Sequence, residues 1–154
     1  MCHLPIDIAP SENIVRAILC PTHIKQGSNE VKYQAFKSRP GTDEVSVIRH
    51  SHMGSNFCKN KGKEIEVGWP NNYFVGFSVI PASVIFDCGS KVHDSREEYC
   101  GHAHISHGFI LQPNEPPPPD LNLILTERYK ALRDKSVYHA DRDPAAAAWT
   151  GSAF

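Results

Sequence analysis

Residues Tyr73 to Phe86 read YFVGFSVIPASVIF, the strongest apolar stretch of the chain. A membrane-spanning helix needs about 18 to 20 consecutive apolar residues. This run is shorter and is interrupted by Gly76 and Pro81. β-Branched and aromatic residues dominate it, which favours extended backbone. It reads either as one bent strand or as two strands, Tyr73 to Ile80 and Ala82 to Phe86, meeting at Pro81. A sheet is therefore the organising element, and the rest of the chain must supply its partners.

Upstream, Asn13 to Leu19 (NIVRAIL) reads as the first strand, closed by Pro21. A turn signal at Gln26 to Asn29 precedes a short strand over Val31 to Phe36 (VKYQAF). Arg39 to Thr42 turns the chain again, and Glu44 to Arg49 (EVSVIR) is the next strand. Ser55, Phe57, Cys58, Lys61 and Ile65 fit a helix within Ser51 to Val67, which Gly54 and Gly62 weaken. Downstream, Asp87 to Arg96 is polar and turn-rich, and His102 to Leu111 (HAHISHGFIL) is the last strand. Pro116 to Pro119 form a stiff spacer. Asp120 is the expected N-cap of a helix from Leu121 to about Lys135 with an apolar stripe of Leu121, Leu125, Tyr129 and Leu132. Short strands separated by turns predict a single α+β domain. Its central sheet is expected to be mostly antiparallel, with one internal helix and a C-terminal amphipathic helix. The expected organisation is an N-terminal arm (1–12), a core (13–111), a Pro-rich linker (112–120), the C-terminal helix (121–140) and a flexible tail (141–154). That helix either folds back to cover the sheet of its own chain or, held off the core by the linker, serves as a docking arm for a partner or a second copy.

With 154 residues the chain accommodates one real core and not two. Its formal net charge of −1 excludes a generic polyanion binder, which is strongly basic. Five cysteines, an odd number at irregular spacings, argue against a disulfide framework. The first residues lack the basic and apolar regions of a secretory signal. A cytoplasmic protein with free thiols and no membrane segment is the expectation.

Nine histidines are the other departure from ordinary composition. His50 and His52 form one pair, and His102, His104 and His107 one cluster. Alternate residues of a strand share a face, so each H-x-H pair on a strand offers two converging imidazoles. The two pairs together present His50, His52, His102 and His104 to a divalent metal, zinc first, with Cys88, Cys100 and Asp94 as further donors. Without metal, His102, His104 and Arg49 in one cleft suit acid–base work on a phosphate group. Lys59, Lys61 and Lys63 read as solvated surface, with a local anion site as the sharper alternative. Cys58 or Cys100 beside a histidine is a candidate nucleophilic pair.

The order Arg16 on a first strand, Phe36, then Ser46 within EVSVIR and a following helix resembles the ADP-ribosyltransferase fold over residues 13 to 65. The resemblance implies NAD as cofactor, Arg16 and Ser46 as its binding residues, and a late catalytic residue among Glu97, Glu98 and His102. Three functional readings follow. The first is a small hydrolase acting on a phosphate-containing substrate, a nucleotide or nucleic acid, with a metal-binding His-rich cleft. The second is an NAD-using transferase, and the third a non-catalytic partner-binding subunit.

Overall fold

The computed structural model describes Met1–Phe154. It is an α+β domain around one six-stranded antiparallel sheet of order β4-β5-β2-β1-β3-β6. The strands are β1 (Asn13–Cys20), β2 (Glu44–Arg49), β3 (Tyr73–Pro81), β4 (Lys91–Asp94), β5 (His102–Ser106) and β6 (Val137–Ala140). The helices are α1 (His50–Met53), α2 (Ser55–Val67), α3 (Ala82–Asp87) and α4 (Pro119–Lys135), with a 3-10 turn over Tyr33–Phe36. No helix is long and apolar enough to cross a membrane.

β1 is central because both its faces are apolar. Ile14 and Ile18 join a large cluster with Val45, Val47, Ile80, Ile85, Ala103 and Ile105. Val15, Ala17 and Leu19 join Ile48, Cys58, Phe74 and Phe77 on the other face. α3 and α4 cover the first face. Leu125, Tyr129 and Leu132 are buried in it, so the C-terminal helix folds back on its own sheet instead of standing off as an arm. Its Pro-rich approach leads straight into the helix, with proline in the first turn, where its missing N–H is harmless.

α2 and the last residues of the chain cover the second face. Lys59, on α2, is fully buried; its Nζ lies 2.8 Å from Asp141 Oδ2 and donates to the carbonyls of Asp143 and Ala148 at 3.0 and 2.6 Å. Trp149 and Phe154 stack on Phe77 with ring centroids 5.4 and 5.5 Å away. The tail, expected to be flexible unless Trp149 or Phe154 docked, is a docked segment held by both, and residues 137–140 are an edge strand rather than the end of the helix. Gly76 admits that strand, since a Cβ there would collide with the His139 carbonyl and approach the Ala140 Cα to 3.0 Å.

Three other expectations are corrected. Val31 to Phe36 is an isolated bridge at Val31 and a 3-10 turn, not a strand. Pro81 ends β3 and caps α3, so ASVIFD is helical despite its β-branched residues. β5 ends at Ser106, with Gly108 at φ +83 turning the chain away before Leu111.

The cysteines also depart from expectation. Cys2 and Cys100 form a disulfide, and Cys20, Cys58 and Cys88 are free. The odd count conceals one pair plus three thiols. The disulfide ties the N-terminal arm to the loop before β5. Arg49 holds the same arm from inside. Its guanidinium bonds Glu12 at 2.9 and 3.0 Å, Asp94 at 2.6 Å and the Pro5 carbonyl at 2.5 Å, with no exposure to solvent.

Candidate functional site

The sheet is nearly split in two. β1 and β3 register over eight pairs from Asn13↔Pro81 to Cys20↔Tyr73. β1 and β2 register only at Ile14↔Arg49 and Val15↔Ile48 and then diverge. Continuing that register would set Arg16 opposite Val47 and Ala17 opposite Ser46. Instead the Arg16 guanidinium enters the gap. Its Nη1 donates to the Ser46 carbonyl at 3.0 Å and its Nε to the Ala35 carbonyl at 2.8 Å.

Alternation within the strand explains why Ser46 is available. The Arg49 N–H bonds Gly101 on the β5 side. In an antiparallel strand the backbone groups of alternate residues point to opposite neighbours. The N–H and C=O of Ser46 therefore face β1, across the gap.

A crevice of about 470 Å³ opens there, lined by Arg16, Lys37, Arg39, Ser46, Trp69 and the end of α2. Lys37 and Arg39 are exposed cations on the loop after the 3-10 turn, Arg39 pairing with Glu44 at 3.5 Å. Trp69 is a half-buried aromatic wall braced edge-on by buried His23 at 5.1 Å. The one carboxylate on the wall, Glu64, is engaged by Lys61 at 3.2 Å.

Arg16 is the electrostatic centre of this crevice. It is buried, its partners are neutral carbonyls, and no acid pairs with it. Burial, and then the charge of Arg39, push its pKa down to about 10. Buried cations ordinarily have a counter-ion, because desolvating an unpaired charge is costly.

Beside the crevice, on the α2 face, Ser46 Oγ lies 2.8 Å from His102 Nε2. The other ring nitrogen, Nδ1, is bonded to the buried Ser95 hydroxyl. Glu98 places a carboxylate oxygen 3.3 Å from Nε2. Burial lowers the His102 pKa, with the Glu98 charge opposing it.

The other sequence candidates lie elsewhere. His50 and His52 fall on α1. His50 stacks on Phe154 at 4.4 Å and its Nε2 lies 3.3 Å from Ser55 Oγ. His52 sits 3.3 Å from Glu12. His104 faces Glu44 at 3.6 Å and the His93 ring at 5.5 Å. No three His, Cys, Asp or Glu side chains converge as a metal-ligand set, so the four-imidazole zinc site is not assembled. Arg49 is bound by carboxylates on both sides and is a structural hub. Phe36 is fully buried in the core and its carbonyl accepts from His107 Nε2 at 2.8 Å. Cys100 is oxidised, and burial raises the Cys58 thiol to about 12, which removes both as nucleophiles. Of the three lysines, Lys59 is buried against Asp141, while Lys61 and Lys63 pair with Glu64 and Glu66 along α2.

The sequence pointed to Arg16 and Ser46 through the resemblance and to His102 through the histidine cleft; the structure brings the three together. Sequence reasoning passed over Lys37, Arg39, Trp69 and Ser95. The only local signal for the first two was a basic K-S-R triplet beside a turn. No protein family, curated protein or solved structure matches the chain.

Proposed function

We propose that the crevice between the half-sheets binds the phosphate group of a nucleotide or nucleic-acid substrate, and that the chain is a small hydrolase acting on that group. The observation that carries this reading is Arg16, a buried guanidinium with neutral partners and no carboxylate. A phosphate oxygen supplies the missing counter-charge and accepts from a planar donor fork. Lys37 extends the positive field to the entrance, beside Arg39 and its partner Glu44 at 3.5 Å, and the Trp69 ring offers a stacking surface for a base. No step is assigned to a metal, because the imidazoles expected to hold one point to different partners.

The test is thermal unfolding with pyrophosphate, ADP, a short oligonucleotide and NAD. A ligand at about 100 times its Kd stabilises the folded state by about 2.7 kcal/mol. Stabilisation by a phosphate compound is expected, and Arg16→Gln is expected to abolish it. No response from any of the four, or the same response in the variant, overturns the reading.

A second reading has its own support. Arg16 and Ser46, the two residues that the resemblance to ADP-ribosyltransferases singles out, are bonded to each other and line one crevice. Stabilisation by NAD alone, with release of nicotinamide on incubation, would favour NAD chemistry over hydrolysis of a phosphate ester.

The compartment follows the cysteines. Cytoplasmic proteins keep their thiols reduced, so the cytoplasmic reading requires Cys2 and Cys100 to be reduced in the cell. Counting free thiols in protein trapped with an alkylating agent at lysis decides it: five supports the cytoplasm, three an oxidising compartment.

A further inference from the structure

Ser46 combines three features that a structural serine does not need. Its hydroxyl is half-buried beside the crevice, its backbone groups face the unpaired gap, and its Oγ is 2.8 Å from His102 Nε2. The ring is held at both ends. Ser95, which bonds Nδ1, is itself anchored by its N–H to the His102 carbonyl at 3.0 Å. Of the two neutral tautomers, the one with Nδ1–H donating to Ser95 leaves the Nε2 lone pair to accept the Ser46 proton, as a general base requires. Desolvation of the ring keeps it neutral near pH 7, where it can take a proton. The Glu98 carboxylate, 3.3 Å from Nε2, faces the nitrogen that turns positive once it has done so.

We propose that Ser46 Oγ is a nucleophile, and His102 its general base, for a phosphoryl group held at Arg16. This rests on the phosphate reading above. In the first step the Oγ–P bond forms and the bond from phosphorus to the leaving oxygen breaks, the leaving oxygen keeping the electron pair. The Ser46 proton passes to Nε2 and from there to the leaving oxygen. In the second step water, deprotonated by the same nitrogen, attacks the phosphoserine. The Oγ–P bond breaks, Ser46 recovers a proton from Nε2, and phosphate departs. The net reaction is hydrolysis of one phosphate bond, with no oxidant or reductant.

The experiment is labelling of the intact chain with an alkyl fluorophosphonate, which forms an Oγ–P bond and expels fluoride. The site is read by peptide mass spectrometry. One adduct is expected on Ser46, and none in Ser46→Ala. In His102→Gln, whose amide keeps a hydrogen bond within reach of Ser46, labelling is expected to slow by about 100-fold or more, the usual range for loss of a general base. Thermal unfolding verifies that both variants are folded. If His102→Gln does not fold, Ser95→Ala replaces it; it frees Nδ1 while leaving Nε2 in place, and labelling is expected to slow, by less than the ~100-fold that marks loss of the base itself. No adduct on Ser46 in the folded wild type, or an unchanged rate in the folded base variant, overturns the proposal. Pyrophosphate stabilisation is measured in parallel. Binding without labelling overturns the nucleophile and leaves the phosphate reading standing. Labelling without binding supports the nucleophile and overturns the role of Arg16.

Discussion

Lys59 Nζ lies 2.8 Å from Asp141 Oδ2, and neither side chain is exposed to solvent. The pair joins α2 to the segment after β6, so it fastens the end of the chain over the Phe77 face. Removing one partner from a buried pair leaves the other charged and desolvated, at a cost of about 3 to 5 kcal/mol. Asp141→Asn and Lys59→Met are each expected to lower stability by that order in urea unfolding. Combined, they are expected to cost clearly less than their sum. Additive losses would show that the ion pair is not coupled.

The N-terminal arm is fastened twice, by Cys2–Cys100 across a separation of 98 residues and by the carbonyls of Leu4 and Pro5 on Arg96 and Arg49. A cross-link over so long a loop restricts the unfolded chain, and native disulfides commonly contribute about 2 to 5 kcal/mol. Reduction, or the double variant Cys2→Ser/Cys100→Ser, is expected to lower the unfolding midpoint in urea by a corresponding amount. An unchanged midpoint on verified reduction would show the arm to be dispensable.

Arg49 is expected to be intolerant of lysine. Its planar fork meets Glu12 through two nitrogens while Nη1 reaches Asp94, and an ammonium cannot reproduce that geometry. Arg49→Lys is expected to cost about 2 kcal/mol or more, and Arg49→Met about 3 to 5 kcal/mol because two carboxylates lose their counter-ion. Full stability in Arg49→Lys would contradict a structural hub and return the residue to the catalytic candidates.

Much of the fold was legible because its long elements carry their own pattern. NIVRAIL and YFVGFSVI are apolar on both faces, and Leu125, Tyr129 and Leu132 fall on one helical stripe. β4 and β6 were not legible. KVHD and VYHA have no periodicity of their own and are strands only because β5 and β3 pair with them. α3 was misread because Val84 and Ile85 favour extended backbone, while the chain turns helical after Pro81. The histidine pairs show how one spacing means different things in different elements. His102 and His104 share a face of β5, but His50 and His52 fall on a helix, where residues two apart do not face each other. The crevice is a tertiary feature. It exists because β1 and β2 part company after two pairs, and nothing in either segment announces that.

Two buried histidines make the fold acid-sensitive. Burial first, and then the Arg16 charge, take His23 down to about 3. Burial takes His107 down to about 4, with the bond to the Phe36 carbonyl opposing the shift. Both rings are neutral in the folded state, whereas in the unfolded chain they protonate near the ordinary value of 6.5. Below 6.5 the unfolded state binds more protons, so stability falls as pH falls, by up to about 1.4 kcal/mol per pH unit for each ring. The slope from His107 ends near pH 4, where the folded protein takes the proton too. Urea midpoints from pH 7 to 4.5 are expected to decline, and His107→Gln is expected to make that decline shallower by up to about 1.4 kcal/mol per pH unit. A flat profile would show that both rings take up protons in the folded state as readily as in the unfolded chain.

α4 provides the last prediction. Leu125 and Leu132 are 1% and 0% exposed, in the same cluster as Ile14, Ile80 and Ile85, whereas Leu123 is 62% exposed on the opposite side of the same helix. In a folded protein most of the stability of such a helix comes from packing its apolar face. Truncating a buried leucine removes its transfer energy and leaves a cavity, at about 2 to 5 kcal/mol, while truncation at an exposed site stays within about 0.5 kcal/mol. Leu125→Ala and Leu132→Ala are therefore expected to lower the unfolding free energy several-fold more than Leu123→Ala, in dilute protein and independently of protein concentration. If the helix instead packed on a second copy, the order would change. Leu123→Ala would then matter, and the unfolding midpoint of the wild type would rise with concentration, which light scattering and unfolding at two concentrations would reveal.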